Sequence, residues 1–443
     1  EYKKTVILIE GNKNIETYYS MLGAIKTPFA YSIFDPKIPK ERFKRLIQNG
    51  NFFLLYSSKK FEKIKNIKKY KIKEILKKNF DNENKNKTKI IKDNTYIVFT
   101  SGSTGAPKGC CIGEESILSF INVWKKILKI NEKKQTNFSQ LNPLYFDNSI
   151  FDFYISIFTG SILSPINTDK IEDLVNVPKQ IFKANCNIWF SVPSLIIYLL
   201  NLRLLKRQHL KKLDYVIFGG EGFPKNKLKE LWMLKKKLIN VYGPSECTCI
   251  CSHHFIKKKD IFDDEEKFVP LGKISENFKF KILRKKNFGE LLLFGKGVGN
   301  GYFQNIKETK NKFIKKNNKI IGYKTGDIIK KKDNKIFFIG RKDNQVKLMG
   351  HRIELEEIEK EISKLKNVKE NIVTKSKNNN IEFLTAHIYH TKSLKKKFVE
   401  DYFNKKLPYY MNPKEINFYR KPLKKNRNFK IDRSFYQNLS VEK

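Results

Sequence analysis

Short apolar runs alternating with amphipathic helical stretches predict an α/β protein: a large N-terminal domain of doubly wound sheets, a small β-rich subdomain, and a small α+β C-terminal domain. Three observations carry this reading. The buried-strand pattern at Val6–Leu8, inside Thr5–Ile9, is followed at once by a helical pattern over Asn14–Ile25, with Tyr18, Met21, Leu22 and Ile25 on one side. Glycine-rich polar turns close three apolar runs: TSGSTGAPKG after Tyr96–Phe99, GGE after Tyr215–Phe218 and YGPSE after Leu238–Val241. Open α/β sheets bind ligands at the carboxyl ends of their strands, so three such turns predict one shared site. From Gly289 onward the pattern changes to short β segments separated by turns, then to a compact tail.

Taken in order, Phe29–Glu41 reads as a strand and a turn, with a helix starting at Pro39 and running to Ile47; Phe52–Tyr56 is another short strand. Lys59–Lys92 is rich in Lys and Asn, and the spacing of Ile64, Ile67, Ile72 and Ile75 predicts a surface helix and a loose loop. Ser116–Ile130 is a helix, Asn142–Asn148 a break, and Ile150–Phe158 an apolar helix. GELLLFGKGVGNGYF, YKTGD and Lys335–Ile339 form the short strands of the β-rich subdomain. Helices over Glu354–Leu365 and Leu394–Leu407, with strands near Ile372 and at Phe383–Tyr389, make up the tail. The domains are thus 1–341, including the subdomain at 289–341, a hinge at 342–344, and 345–443.

Lys+Arg total 90 against 45 Asp+Glu, a net charge of +45 in 443 residues. Such a charge suits nucleic acid or acidic membrane, but the lysines are spread through every segment and mixed with Asn, Ile, Phe and Tyr. That distribution fits compositional drift better than a binding stripe, and it argues against nucleic acid as partner. Six cysteines in a chain this long are no disulfide framework and fit a reducing, cytoplasmic setting. Cys247, Cys249 and Cys251 are spaced too closely for a structural zinc site and read instead as one face of a strand. No apolar stretch reaches membrane-spanning length; the longest, Ile188–Leu200, is cut by Ser191, Pro193 and Ser194. The chain opens at Glu1 directly into a strand, which implies a natural start further upstream.

The stretch Thr100–Gly109 gathers glycines and small hydroxyl residues around one lysine, Lys108. Glycine lets backbone N–H groups approach a ligand, and Ser101, Ser103 and Thr104 offer hydroxyl donors, so the loop suits phosphate; a flexible Gly/Ser turn has the same composition. It is not the Walker pattern, since Pro107 precedes the lysine and no GK-[ST] ending follows. Asp147, where the apolar helix begins, reads either as a helix cap or as a buried carboxylate awaiting a cation.

Several motifs stand in a fixed order: FAYSIFDPKIPKER, TSGSTGAPKG, YFDNS, FGGEGFP, NVYGPSE, GELLLFGKGVGNGYF, YKTGD, GRKDNQVKLMGHRIELEEIE, LPYYMNP and NFKIDR. Through them the chain resembles the adenylate-forming (AMP-binding) superfamily, and within it the amino-acid adenylation domains of nonribosomal peptide synthetases and the D-alanine:carrier-protein ligases. The resemblance covers nearly the whole chain. It implies ATP-dependent activation of an amino acid as its adenylate, release of pyrophosphate, and transfer of the acyl group to the phosphopantetheine thiol of a carrier protein. An acyl-CoA ligase for a non-amino acid, a nucleic-acid-binding protein and a catalytically silent scaffold are the alternatives.

By resemblance, Thr100, Ser101, Gly102, Ser103, Thr104, Gly105 and Lys108 grip the β and γ phosphates of ATP. Ser245 touches the α-phosphate and Glu246 holds Mg2+. Tyr242 and Gly243 meet adenine beside the Gly219-Gly220-Glu221 turn, and Asp327 takes the ribose hydroxyls with Arg341 near. Lys430 matches the adenylation lysine, although Phe429 stands where the family usually has glycine. The C-terminal domain is mobile, pivoting at Asp343, and in its second state Gly350 lines the path of the phosphopantetheine arm. Asp147 matches the aspartate that pairs with the substrate ammonium. Asn148, Phe151, Ser191, Gly219, Val241, Cys249 and Ile250 line a pocket for a small to medium, mainly apolar side chain. D-alanine ligases usually carry cysteine where Gly219 stands. With no carrier domain between NFKIDR and Lys443, the carrier is expected as a separate protein or beyond this stretch.

Overall fold

Two helices of the larger unit each feed side chains into two apolar clusters. In the computed structural model, Glu114–Ile127 turns Ile117 and Ile121 into one apolar cluster and Phe120 and Trp124 into another. Asn148–Phe158 does the same, with Ile150, Phe153 and Tyr154 on one side and Phe151 and Ile155 on the other. Glu114–Ile127 keeps Glu114, Glu115, Leu118, Asn122, Lys125 and Lys126 exposed, whereas Asn148–Phe158 is buried from Ser149 to Ser156 and needs cover on both sides. Here the cover is two β-sheets. The structure describes residues 5–48, 50–77, 93–102, 107–131, 135–262, 266, 268–285, 287–333, 335–378, 381–427 and 429–439.

The first sheet comprises β1 (Thr5–Glu10), β2 (Ala30–Phe34), β3 (Asn51–Tyr56), β4 (Lys68–Lys71), β5 (Tyr96–Thr100) and β6 (Lys108–Ile112), in the order β4-β3-β1-β2-β5-β6. Its pairings β3–β4, β1–β3, β1–β2 and β2–β5 are parallel. The second comprises β7 (Asn137–Gln140), β8 (Ile162–Pro165), β9 (Ile188–Ser191), β10 (Tyr215–Gly219), β11 (Lys237–Tyr242), β12 (Ser252–Phe255) and β13 (Lys273–Ile274), in the order β13-β12-β11-β10-β9-β7-β8. It is parallel from β8 to β11 and ends in an antiparallel pair. Strands covered on both faces read as continuous apolar runs, as in VILIE and YVIFG. The third sheet is antiparallel: β14 (Lys279–Lys285), β15 (Phe288–Phe294), β16 (Phe313–Lys316), β17 (Lys319–Lys332) and β18 (Lys335–Arg341). The expected YKTGD strand is the middle of β17, which is 14 residues long.

The chain divides into two compact units. One holds Glu1–Pro36, Gly50–Phe99 and Gly109–Lys342; the other holds Asp343–Lys443 together with Lys37–Asn49 and Thr100–Lys108, two segments that the sequence reading places in the N-terminal domain. Within the second unit, β19 (Gln345–Leu348) and β20 (His351–Glu354) form a hairpin, and β21 (Val368–Asn378), β22 (Ile381–His390) and β23 (Glu415–Tyr419) form a three-stranded sheet. Its core gathers Ile353, Ile358, Val373, Ala386, Val399 and Phe403.

Three local expectations are corrected. Within Lys59–Lys92, the described residues hold a 3-10 turn at Lys59–Phe61 and an α-helix at Ile72–Leu76; Lys68–Lys71 is a strand paired with β3, and residues 78–92 lie outside the described residues. Cys247, Cys249 and Cys251 do not share a strand face, because Thr248 and Cys249 adopt left-handed backbone conformations (φ 50° and 70°) before β12 starts. The helix at Asp147 begins at Asn148, and the Asp147 side chain caps nothing. Among the described residues no helix is long and apolar enough to cross a membrane.

Candidate active site

The carboxyl ends of β10 and β11, the start of the helix Asn148–Phe158 and the middle of β17 bring most of the expected residues together in the first unit. A parallel register aligns Gly219 with Val241. A side chain at Gly219 would begin 2.4 Å from the Val241 carbonyl oxygen, so only glycine allows the two strand ends to lie this close. Gly220 follows with φ 89°, within reach of Asn148 and Val192. Glu221 accepts a hydrogen bond from the Ser194 N–H (3.3 Å) at the start of the helix Pro193–Asn201, a helix-terminus contact that the sequence does not announce.

Beyond β11, the 3-10 turn Ser245–Cys247 presents Ser245 and Glu246. The Ser245 hydroxyl donates to the Asp147 carboxylate at 2.5 Å. The two residues lie 98 positions apart in sequence, and this contact joins the expected phosphate-side hydroxyl to the expected ammonium-side carboxylate. Asp147 is half-buried. Glu246 is almost wholly buried and accepts a hydrogen bond from the Tyr302 hydroxyl at 2.6 Å. Sequence reasoning passes over Tyr302; its only signal is an aromatic after the glycine-rich GVGNG run.

Tyr242 and Asp327 are also joined. The Tyr242 hydroxyl donates to one oxygen of Asp327 while Arg341 Nη1 lies 2.5 Å from the other. Burial, reinforced by Asp327, holds the Tyr242 phenol well above its usual range, so it stays a donor. Asp327 and Arg341 are directly opposite in the β17–β18 ladder, which is why two distant motifs converge.

The side-chain pocket residues Phe151, Val241, Cys249 and Ile250 belong to one apolar cluster. Phe151 is fully buried, its ring in edge contact with Trp124 (4.9 Å between centroids), Phe190 (5.1 Å) and Phe138 (6.1 Å). Ser191, also buried, donates to the Val192 carbonyl. Burial pushes the Cys249 thiol well above its usual range, with Asp147 and Asp152 adding to the effect, so it acts as packing material and not as a nucleophile.

The remaining expected residues fall in the second unit. Lys108 is buried, its ammonium 3.6 Å from Glu354; burial raises the Glu354 carboxyl and Lys108 opposes that rise. The Ser101 hydroxyl donates to the Arg352 carbonyl (2.6 Å), Gly102 N–H donates to Glu357 (3.2 Å), and Thr100 Oγ1 donates to the Lys108 carbonyl. Ser103, Thr104 and Gly105 lie outside the described residues. Lys430 sits exposed at a tight turn closed by the Asn426 N–H to Lys430 carbonyl bond (2.7 Å). Phe429 takes the left-handed conformation (φ 58°) in that turn and is 88% exposed, the geometry that glycine adopts without cost. Asp343 opens the C-terminal segment of the second unit, directly after Lys342, where the first unit ends.

A family model described as AMP-binding enzyme matches residues 2–303. The chain therefore belongs to the AMP-binding enzyme family, the adenylate-forming ligases. Among curated proteins it is 30% identical to the D-alanine--D-alanyl carrier protein ligase of Bacillus velezensis, with 97% of this chain and 88% of the relative aligned. It is 28% identical to surfactin synthase subunit 3 of Bacillus subtilis over 94% of its length, which spans only 33% of that relative. The crystal structure of the Vibrio cholerae adenylation domain AlmE, in complex with glycyl-adenosine-5'-phosphate, shares its fold, with a TM-score of 0.78 at 20% identity over 98% of this chain and 89% of that one.

Proposed function

We propose that the protein activates an amino acid of small side chain at the expense of ATP and passes it to the phosphopantetheine thiol of a carrier protein. The amino-acid carboxylate attacks the α-phosphorus, the bond to the β-phosphate oxygen breaks, and pyrophosphate leaves. The thiol then displaces AMP from the acyl carbon. The observation that carries the reading is the 2.5 Å Ser245–Asp147 contact: a carboxylate suited to a substrate ammonium lies beside a hydroxyl suited to the phosphate that must be attacked.

Asp147 takes the substrate ammonium, and Asn148, Ser191 and Gly219 accompany the buried Phe151, Val241, Cys249 and Ile250 around the side chain. The tight packing of Phe151 among four aromatics favours a small side chain. Asp327 and Arg341 hold the ribose, and Tyr242, Gly243, Gly220 and Glu221 border adenine. Lys108 with its loop and Lys430 supply the cations for phosphate, and Asp343 is the pivot between the two half-reactions.

Among the described residues no group of three or more acidic, histidine or cysteine side chains could hold a metal ion by itself. Glu246, a lone buried carboxylate, fits Mg2+, which prefers one or two carboxylates plus substrate phosphates. When bound, the ion offsets charge on the departing pyrophosphate.

An amino-acid panel assayed for ATP–pyrophosphate exchange tests the proposal. Exchange with glycine, alanine, serine or a similarly small amino acid is the expected result. Exchange with a fatty or aryl acid and none with any amino acid would reject it.

A further inference from the structure

The segment Gly299–Phe303 is laced to two parts of the site at once. Along β6, Asn300 N–H donates to the Cys111 carbonyl (2.8 Å), Cys111 N–H to the Gly301 carbonyl (2.9 Å), and Phe303 N–H to the Gly109 carbonyl (2.7 Å). At its start, Gly299 N–H donates to the Glu246 carbonyl (2.8 Å), and three residues on the Tyr302 hydroxyl reaches the Glu246 side chain at 2.6 Å. Glu246 is thus held through both its main chain and its side chain by one short segment. That segment is itself fixed to β6, the last strand of the first sheet. The Tyr302 ring is anchored edge-on against Phe313 (5.3 Å), and its N–H donates to Thr309 Oγ1 (2.9 Å).

A hydroxyl donor on Oε1 of a buried glutamate does two things. It ties down one carboxylate oxygen and it fixes the rotation of the carboxylate, so the other oxygen has a defined direction. We infer that Tyr302 is the positioning residue that orients Glu246 as the magnesium-holding carboxylate of the nucleotide site. The inference rests on the proposed role of Glu246. Tyr323, whose hydroxyl lies 3.4 Å from that of Tyr302, belongs to the same cluster.

The test uses the full chain with Mn2+ in place of Mg2+ and α,β-methylene-ATP, with free Mn2+ read by electron paramagnetic resonance. Tyr302→Phe keeps the ring and deletes only the hydroxyl. The expected result is Mn2+ binding weaker by about tenfold, the lower end of the effect of losing an outer-shell partner. The metal-free affinity for the analogue should stay within twofold. Mn2+ affinity within twofold of wild type in Tyr302→Phe would overturn the inference, as would an equal loss of analogue affinity, which marks a packing role only. Glu246→Gln separates the two levels. If it abolishes Mn2+ binding while Tyr302→Phe does not weaken it, only this inference falls. If Glu246→Gln binds Mn2+ normally, the metal role of Glu246 falls and the inference with it.

Discussion

Asp147→Asn isolates the charge of the carboxylate with almost no change of shape. Its amide oxygen can still accept the Ser245 hydroxyl, now 2.5 Å from Asp147, so the local geometry is retained and the ion pair with a substrate ammonium is lost. At an effective dielectric constant of 20, two unit charges about 4 Å apart attract by about 4 kcal/mol. Asp147 is half-buried, so solvent screens part of this; about 2–3 kcal/mol remains as a reasonable loss, within the range measured for truncating one partner of a close charge pair. At 1.36 kcal/mol per factor of ten, that corresponds to a KM for the amino acid raised roughly 30- to 150-fold. The KM for ATP should stay within threefold, because the ammonium lies at the other end of the reacting pair. Pyrophosphate exchange measured against both substrates reads the two constants separately. A parallel series with the matching 2-hydroxy acid, which has no ammonium, should show little difference between variant and wild type. An amino-acid KM within threefold of wild type, or an ATP KM rising as steeply, would refute the assignment of Asp147.

Two further predictions concern the second unit. Glu354→Gln removes the carboxylate 3.6 Å from Lys108, so the lysine no longer has to leave an internal anion to meet a polyphosphate; inorganic triphosphate should bind a few-fold more tightly, about 1 kcal/mol, by calorimetry, and unchanged or weaker binding refutes this. His351 is buried and stacked on Tyr410 at 3.7 Å, and burial lowers its pKa from 6.5 to about 3. Its folded-state pKa is depressed, so below pH 6.5 the unfolded chain takes up a proton that the folded unit refuses, and stability present above pH 6.5 is lost as pH falls toward 3. The loss should reach about 2 kcal/mol by pH 5, visible as faster hydrogen exchange in β22, and His351→Phe should abolish that share of the slope; an identical slope in the variant refutes the argument.

The parts of the molecule legible in its sequence are those where local pattern and tertiary demand agree. Val6–Leu8 and Tyr215–Phe218 are apolar because both faces of their sheets are covered, and the turns that follow are polar because strand ends meet the site. The Cys-x-Cys-x-Cys spacing misleads because period two is only half of what a strand needs. A side chain at Gly243 would meet the Cys249 carbonyl at 2.2 Å, so the chain folds back over the preceding turn through two left-handed residues, and the thiols are buried by that loop. The isoleucines of Lys59–Lys92 fit a helix, but Lys68–Lys71 finds the open edge of β3 and pairs with it. A local period cannot report a free sheet edge elsewhere. Tyr302 was invisible for a related reason, since its role depends on a partner 56 positions away.

The same limit explains why Lys37–Asn49 and Thr100–Lys108 group with the C-terminal unit. With 90 cationic residues and 45 acidic ones, the carboxylates are the scarce partners, and their positions decide which cations are buried. The acidic stretch of GHRIELEEIE supplies several. Glu357 pairs with the buried Arg42 and accepts from Gly102 N–H, Glu361 lies 2.6 Å from Arg45, and Glu354 faces Lys108. A buried arginine deprived of its carboxylate costs several kcal/mol, so each of these pairings is strongly selected once the chain is collapsed. Nothing in the neighbourhood of Arg42 distinguishes it from the exposed lysines around it. In a chain this basic, the long-range organisation is better sought by asking where the glutamates of a helix such as Leu355–Ile362 can find their cations than by following the lysines.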